Sequence, residues 1–504
     1  ILAGEPEVAG ERAIVPFAAS LDLAGLGTWD YQGRLDLALA VPTPTALEAA
    51  PVVERGADPA ETADPERSAG AVPLEPVQAD EPRWAVAWSP ATVHPRLAPG
   101  LALATERELQ ERAPLLDVDG APLTGEEAPA LPALAAQLLG RVGPLDEGAT
   151  SEPGTGSLPG DDVGTSGLQA AFEAQLAGRP SGSVNVVDAG DGDLVEVLHV
   201  FEGEAPEAVR TTVDPEVQAA AEEALSRLSK PAALVAIDAP TGEVRAVASR
   251  PTIGFNRALV GEYPPGSTFK VVTTTALLGA GTTPESPASC PASASIAGFR
   301  FSNAGGEALG DIPFETAFFR SCNTAFVQLA DELDGADLVA AAETYGFNQA
   351  PDLPVPAAAG SFPEPSSPVE KAAAAIGQGR VTASPLQMAS IAAAVASGTW
   401  HPPQLTVPEA VPPGRALDPG VAETLRQLMF LVVRQGTATA AAVPGEPVAG
   451  KTGTAEFGSA RPPRTHAWFI GFRGDLAVAV LVEDAGFGGS VAAPVARTFF
   501  TEVG

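Results

Sequence analysis

Two strand–turn–strand patterns, far apart in the chain, constrain the fold more than any other feature. AALVAIDAPTGEVRAVAS (232–249) reads as strand, Pro-Thr-Gly turn, strand. HAWFIGF (466–472) and LAVAVLVE (476–483) flank Arg473-Gly474-Asp475 in the same way, and a helix is expected from about residue 492. Helical patterns fill the interval. Hairpins at both ends of such a stretch call for an antiparallel sheet with helices packed on it, the α+β class. A helix over 214–228 leads into the first hairpin. Asp214 caps it, Pro215 opens its first turn, and Val217, Ala221, Ala224, Leu225 and Leu228 form its apolar stripe.

The 504 residues allow two to four domains, and a 45% hydrophobic content supplies a substantial core. Three zones are expected. Residues 1–105 hold short strand-like pieces at 13–20, 28–41 and 83–90, interrupted by 41–82 with eight prolines and nine acidic residues, which reads as a solvated insertion. Residues 106–205 alternate apolar runs with Gly/Pro/acidic stretches and read as an extended linker, with one short helix over 167–178. Residues 206–504 carry the strongest periodic signals. No internal repeat is found.

The net charge of −34 argues against a nucleic-acid partner, because neutralising phosphates needs a basic face. Lysine occurs only at Lys230, Lys270, Lys371 and Lys451, against 25 arginines, so a lysine-based motif here is hard to obtain by chance. No segment is long and apolar enough to span a bilayer. The two cysteines, Cys290 and Cys322, are either core residues or a single disulfide of an oxidising compartment. Of the histidines, His94 and His401 each precede a proline and His466 begins a strand pattern. None has metal-ligand spacing, and no metal or cofactor is expected.

PPGSTFKVVTTTALLGAG (264–281) looks like a helix start, yet Val271, Val272 and Thr273 to Thr275 are poor helix formers. Ser267 and Lys270, three residues apart, fall on one side of such a helix. A serine hydroxyl becomes a nucleophile when a neighbour takes its proton, and a lysine can do so only as a neutral amine, which requires burial or a nearby cation. Lys451, in VAGKTGTAEF (448–457), is the candidate cation. Its Lys-Thr-Gly-Thr run suits a sheet edge where glycine admits another backbone and hydroxyls grip an anion. Ser321-Cys322-Asn323 lies between them in a loop joining two helical pieces. Ser-x-Asn alone is uninformative, since Ser183-Val184-Asn185 repeats it. The ordered set Ser-x-x-Lys, Ser-x-Asn, Lys-Thr-Gly, using two of four lysines, is specific.

With these motifs, the chain resembles the transpeptidase domain of class B penicillin-binding proteins. The resemblance extends through FNRALVGEYPPGSTFK (255–270), FSNAGGEALGDIPFETAFFRSCNTAF (301–326), AIGQGRVTASPLQMASIAAAVASG (375–398), KTGTAEF and HAWFIGF, covering 206–504. It implies a multidomain α+β chain. Its carboxy-terminal penicillin-binding fold would hold an antiparallel five-stranded sheet flanked by helices, preceded by a loop-rich pedestal and a small α+β amino-terminal domain. RWAVAWSPATVHPRLAPGLAL (83–103) resembles the join after the cystatin-like domain of methicillin-resistance-type enzymes, so 1–105 would be a partial domain of that kind. ERAPLLDVDGAPL (111–123) resembles the pedestal entry Arg-Gly-x-Ile-x-Asp-Arg-x-Gly, with Ala113 in place of the glycine and Val118 in place of the second arginine.

The resemblance implies that Ser267 is the acylated nucleophile, Lys270 its general base and Ser321 a proton relay to the leaving amine. Asn323 would bind the donor peptide and Lys451 would set the electrostatics. Thr452, Gly453 and Thr454 would bind substrate, the threonines holding its carboxylate, and the backbone N–H groups of Ser267 and Thr454 would form the oxyanion hole. A Cys290–Cys322 bridge would staple the second motif. The partners implied are peptidoglycan stem peptides ending in D-Ala-D-Ala, β-lactam antibiotics and cell-wall synthesis proteins. The place implied is the outer face of the cytoplasmic membrane, with an anchor expected upstream. The enzymatic alternatives are a β-lactamase or D,D-carboxypeptidase, distinguished by rapid penicillin turnover or by water as acceptor. The other alternative is a non-catalytic β-lactam sensor or scaffold, which intact motifs disfavour.

Overall fold

The computed structural model describes residues 1–40, 82–125, 136–148, 156–460 and 463–504. The acidic Pro-rich insertion, apart from Pro82, lies outside the described residues. The chain forms two compact units, one of residues 1–109 and 180–204, the other of residues 110–179 and 205–504.

In the first unit, strands Arg12–Leu23 and Gly27–Ala40 form a long hairpin, extended by Leu2–Ala3, Glu7–Ala9 and Arg83–Val86. Burial alternates along Arg12–Leu23, with Ala13, Phe17 and Ala19 inward, as a sheet with one covered face requires. Among the described residues of 1–105, the regular elements are strands and one 3-10 turn, Pro90–Thr92. A second sheet joins Leu101–Glu108 to Ser181–Asp188 and Leu194–Phe201. This pairing carries 180–204 into the first unit, so the zone expected over 106–205 is divided, with 110–179 in the second unit. The helix expected over 167–178 is two short ones, Gly167–Ala171 and Glu173–Ala177.

The second unit is built on a five-stranded antiparallel sheet in the order Val244–Arg250, Ala232–Asp238, Leu476–Val482, Arg464–Arg473, Ala449–Phe457. Both expected hairpins are present, and they meet because Ala232–Asp238 pairs with Leu476–Val482. All but the last residue of Ala232–Asp238 and all but the first of Leu476–Val482 are buried, a run that demands cover on both faces. Helix Pro385–Ser397 supplies part of that cover, with Pro385 to Val395 all buried. Helices Pro215–Ser226 and Ala492–Glu502 pack on each other and on the sheet. Asp214 caps the first of these by accepting from Glu216 N–H and Val217 N–H.

The turn after Val118 is held by local hydrogen bonds. The Asp117 carboxylate accepts from Asp119 N–H and Ala121 N–H and holds the turn, and Gly120 supplies its positive φ of 94°. Arg210 Nε donates to Val118 C=O at 2.9 Å and ties this turn to strand Val209–Arg210.

Candidate active site

The first motif begins as a 3-10 turn, Gly266–Phe269, that runs into helix Lys270–Gly279. Its β-branched residues are tolerable because packing overrides propensity. Val271, Val272, Thr273 and Thr274 are all buried, Thr273 Oγ1 donates to Ala375 C=O at 2.7 Å, and Thr275 Oγ1 meets Tyr345 OH at 2.8 Å. Gly266 has φ +54°, and a Cβ there would lie 2.9 Å from Thr454 O and 3.1 Å from Ala455 Cα. At Gly453 a Cβ would lie 2.8 Å from Pro265 O. The two glycines therefore let the turn before Ser267 press directly against strand Ala449–Phe457.

That strand is the outer one of the sheet. The Gln378 side-chain amide lies on its free edge; assigned so that donors meet acceptors, its oxygen faces Glu456 N–H at 3.1 Å and its nitrogen faces Glu456 C=O at 3.3 Å. With period 2 along a strand, Thr454 N–H and Thr452 N–H point to the same free edge, toward the start of the Ser267 helix. The Thr454 N–H is thus on the side that faces the start of the Ser267 helix.

The second motif lies between helices Phe314–Phe319 and Asn323–Leu329. Ser321 has φ +60°, a region that a non-glycine residue enters at a cost of about 1–3 kcal/mol. Cys322 is joined to Cys290 in a disulfide, and Asn303 fixes the same loop by accepting from Thr324 N–H at 2.9 Å and donating to Pro291 C=O at 2.9 Å.

The three segments converge. Lys270 Nζ, fully buried, donates to Ser321 C=O at 2.8 Å and to Asn323 Oδ1 at 2.7 Å, with Ser321 Oγ at 3.4 Å. Lys451 Nζ, also fully buried, donates to Ser321 Oγ at 2.8 Å and to Thr452 C=O at 3.1 Å. Ser267 Oγ lies 3.4 Å from Asn323 Oδ1. Burial, and then the neighbouring Lys451 charge, hold the Lys270 amine well below the ordinary lysine range. Burial brings Lys451 down to about 7. A cleft of about 470 Å³ opens onto Ser267, Ser321, Asn323, Thr452 and Thr454.

Among the further cleft residues, Thr437, Asn303 and Glu456 were not legible in the sequence. Thr437 Oγ1 meets Thr452 Oγ1 at 2.5 Å, and its only linear signal is its place just after Gly436 at the end of helix Pro419–Gln435. Asn303 stands in the quoted FSNAGG run, where the asparagine and glycines mark only a turn.

An antiparallel five-stranded sheet, its outer strand facing a buried Ser-x-x-Lys helix across a polar cleft, defines the penicillin-binding class of α+β proteins. Residues 232–501 match the family described as the penicillin binding protein transpeptidase domain, and residues 130–211 match the penicillin-binding protein dimerisation domain. The chain belongs to the penicillin-binding protein transpeptidase family. It is 35% identical over 364 residues to the peptidoglycan D,D-transpeptidase PbpA of Mycolicibacterium smegmatis, covering 59% of this chain and 73% of that one. Penicillin-binding protein A of M. tuberculosis, solved as a ceftriaxone acyl-enzyme complex, is 30% identical with a TM-score of 0.56, covering 59% of this chain and 80% of that one. Pseudomonas aeruginosa PBP2 is 27% identical with a TM-score of 0.65, covering 78% of this chain and 96% of that one.

Proposed function

We propose that this chain is a peptidoglycan D,D-transpeptidase that works through an acyl-enzyme on Ser267 and is inhibited by β-lactams that acylate the same hydroxyl. The observation that carries the reading is the meeting of two buried lysines at Ser321, with one of them on Asn323 beside Ser267. A neutral Lys270 has two hydrogens, and two acceptor oxygens, Ser321 C=O and Asn323 Oδ1, take them. Its lone pair is left to receive the Ser267 proton.

Ser267 Oγ then bonds the carbonyl carbon of the penultimate D-alanine. The developing oxyanion lies against the N–H groups of Ser267 and Thr454, each such donor being worth about 3–4 kcal/mol. The proton travels by way of Ser321 to the terminal D-alanine amine as the C–N bond breaks. Lys451, donating to Ser321 Oγ, keeps that hydroxyl oriented, and Thr452 with Thr454 holds the donor's terminal carboxylate. The amine of a second stem peptide attacks the ester and restores Ser267. This chemistry belongs on the outer side of the cytoplasmic membrane, among the proteins of cell-wall synthesis. Residues 106–205, which overlap the dimerisation-domain match, serve as pedestal to the catalytic unit.

Benzylpenicillin tests the reading. Intact-mass and peptide mapping should find one penicilloyl group on Ser267, absent from Ser267→Ala and decaying over many minutes. Turnover within seconds, or an adduct elsewhere, would make the chain a hydrolase or remove Ser267 from its role.

A further inference from the structure

The reading above places the donor's terminal carboxylate on the hydroxyls of Thr452 and Thr454. A carboxylate offers only acceptors, so each hydroxyl must give it a hydrogen. A hydroxyl hydrogen rotates to suit its surroundings, and it serves an anion best when a second contact fixes where it points. At Thr454 that contact comes from the backbone. Gly488 N–H donates to Thr454 Oγ1 at 3.3 Å, which uses the oxygen as acceptor and leaves its hydrogen for the cleft.

Thr452 has no such backbone donor among the described residues. Its oxygen meets Thr437 Oγ1 at 2.5 Å, and Thr452 is the one hydrogen-bond partner of that hydroxyl among the described residues. Thr437 lies outside all three motifs, yet it is fixed from two sides. Its N–H donates at 3.2 Å to the carbonyl of Phe319, the last residue of the helix that leads into Ser321. The chain passes this close because residue 436 is glycine: a Cβ there would lie 2.4 Å from the same oxygen. On the other side, Gly489 packs so near that a Cβ on it would lie 2.3 Å from Thr437 O. Three segments of the chain thus hold one hydroxyl against Thr452. When Thr452 gives its own hydrogen to an anion, only its oxygen is left for this contact, and the shared hydrogen must come from Thr437.

We infer that Thr437 is a positioning residue for recognition of the donor's terminal carboxylate: it donates to Thr452 Oγ1 and so aims the Thr452 hydrogen into the cleft. The inference rests on the transpeptidase reading and adds to its machinery a residue that no motif names. Hydrogen bonds in a chain strengthen one another, so a Thr452 hydroxyl that accepts from Thr437 is also the better donor to the anion. Because Thr437 acts through Thr452, a donor that carries the carboxylate feels its loss, and a donor without that charge does not.

The test gives the whole chain two acyl donors. One is N-benzoyl-D-alanyl thioglycolate, whose carboxylate stands in for that of the terminal D-alanine; the other is its methyl ester, which has none. The ratio of kcat/KM for acid over ester is read within each preparation, so differences in folded fraction cancel. Thr437→Val keeps the shape and deletes the hydroxyl, and it should lower the ratio about five-fold, the scale of one neutral hydrogen bond. Thr437→Ser keeps the hydroxyl and should keep the wild-type ratio. Thr452→Val should lower the ratio as well, and adding Thr437→Val to it should lower it no further, because the two residues act through one contact. An unchanged ratio in Thr437→Val or in Thr452→Val would overturn the positioning role. So would a Thr437→Ser enzyme as impaired as Thr437→Val, or a further fall in the double variant. Each of these outcomes leaves the transpeptidase reading intact. A wild type that forms no acyl-enzyme with benzylpenicillin would overturn that reading, and the role of Thr437 with it.

Discussion

The two large sheets of this protein are both antiparallel and both organised around hairpins, yet they differ in what they can hold. Along Arg12–Leu23 of the first unit, buried and exposed positions alternate, and Ile14 and Leu21 stay open to solvent. Along Ala232–Asp238 of the second, burial is nearly unbroken. A sheet covered on one face keeps its charges in water. A sheet covered on both, with helices closing over its outer strand, makes a medium in which an amine loses its proton more easily than it does in water. Lys270 and Lys451 sit in that second environment. The other two lysines, Lys230 and Lys371, reach oxygen acceptors at the surface of the same unit.

The sharpest way to test that contrast is to remove chemistry from the covered sheet and leave its packing alone. Ser267→Ala deletes one oxygen beside the cleft and should lower the acylation rate by benzylpenicillin at least about 10⁴-fold, with no shift of the thermal unfolding midpoint beyond a degree or two. Lys270→Met keeps the bulk of the side chain and removes the amine proposed as proton acceptor. Acylation should fall about 10²–10⁴-fold, measured by the rate of appearance of the penicilloyl adduct. A Lys270→Met enzyme that acylated at the wild-type rate would show that the lone pair beside Asn323 is not the base.

Packing gives the next effect. Leu234 is fully buried in the central strand, whereas Leu21 is 37% exposed on the one-sided sheet. Leu234→Ala should cost about 2–5 kcal/mol in urea unfolding followed in the second unit. Leu21→Ala should cost less than about 1 kcal/mol and leave acylation as it was. Equal costs would mean that the two sheets are not differently covered.

How much of this could be seen in the chain beforehand follows from the same contrast. Both hairpins of the covered sheet were legible because their strands are continuous apolar runs around turn residues, as in Leu476–Val482. Ser181–Asp188 was not. Its Gly182, Ser183 and Asn185 read as linker, and Val184 and Val186 become buried only once Leu101–Glu108 and Leu194–Phe201 pair on either side. The convergence of Ser267, Lys270, Ser321, Asn323 and Lys451 was legible because lysine is scarce enough for an ordered motif to stand out. Glu456 was not, since it is one of 63 acidic residues and gains meaning only once its strand lines the cleft that opens onto Ser267.

The buried lysines should also leave a mark on stability, and its sign distinguishes them from ordinary surface charges. An unfolded lysine titrates near 10.4, while Lys451 in the folded protein titrates at about 7. Between those values the unfolded chain binds a proton that the native protein does not, so unfolding becomes harder as pH rises through the window. Below about pH 7 both states hold the proton and the contribution is constant at its least favourable. One such group gives a slope approaching about 1.4 kcal/mol per pH unit between roughly pH 7.5 and 9.5. Lys451→Gln removes the titrating group but keeps a donor near Ser321. Urea unfolding of wild type and variant across that range should therefore show the wild type gaining on the variant with each step in pH, the subtraction cancelling the repulsion of the remaining negative charges. Parallel stability curves would mean that Lys451 stays protonated in the folded protein. In that case the covered sheet would be holding a permanent cation beside Ser321, and burial alone would not explain how Lys270 is kept neutral.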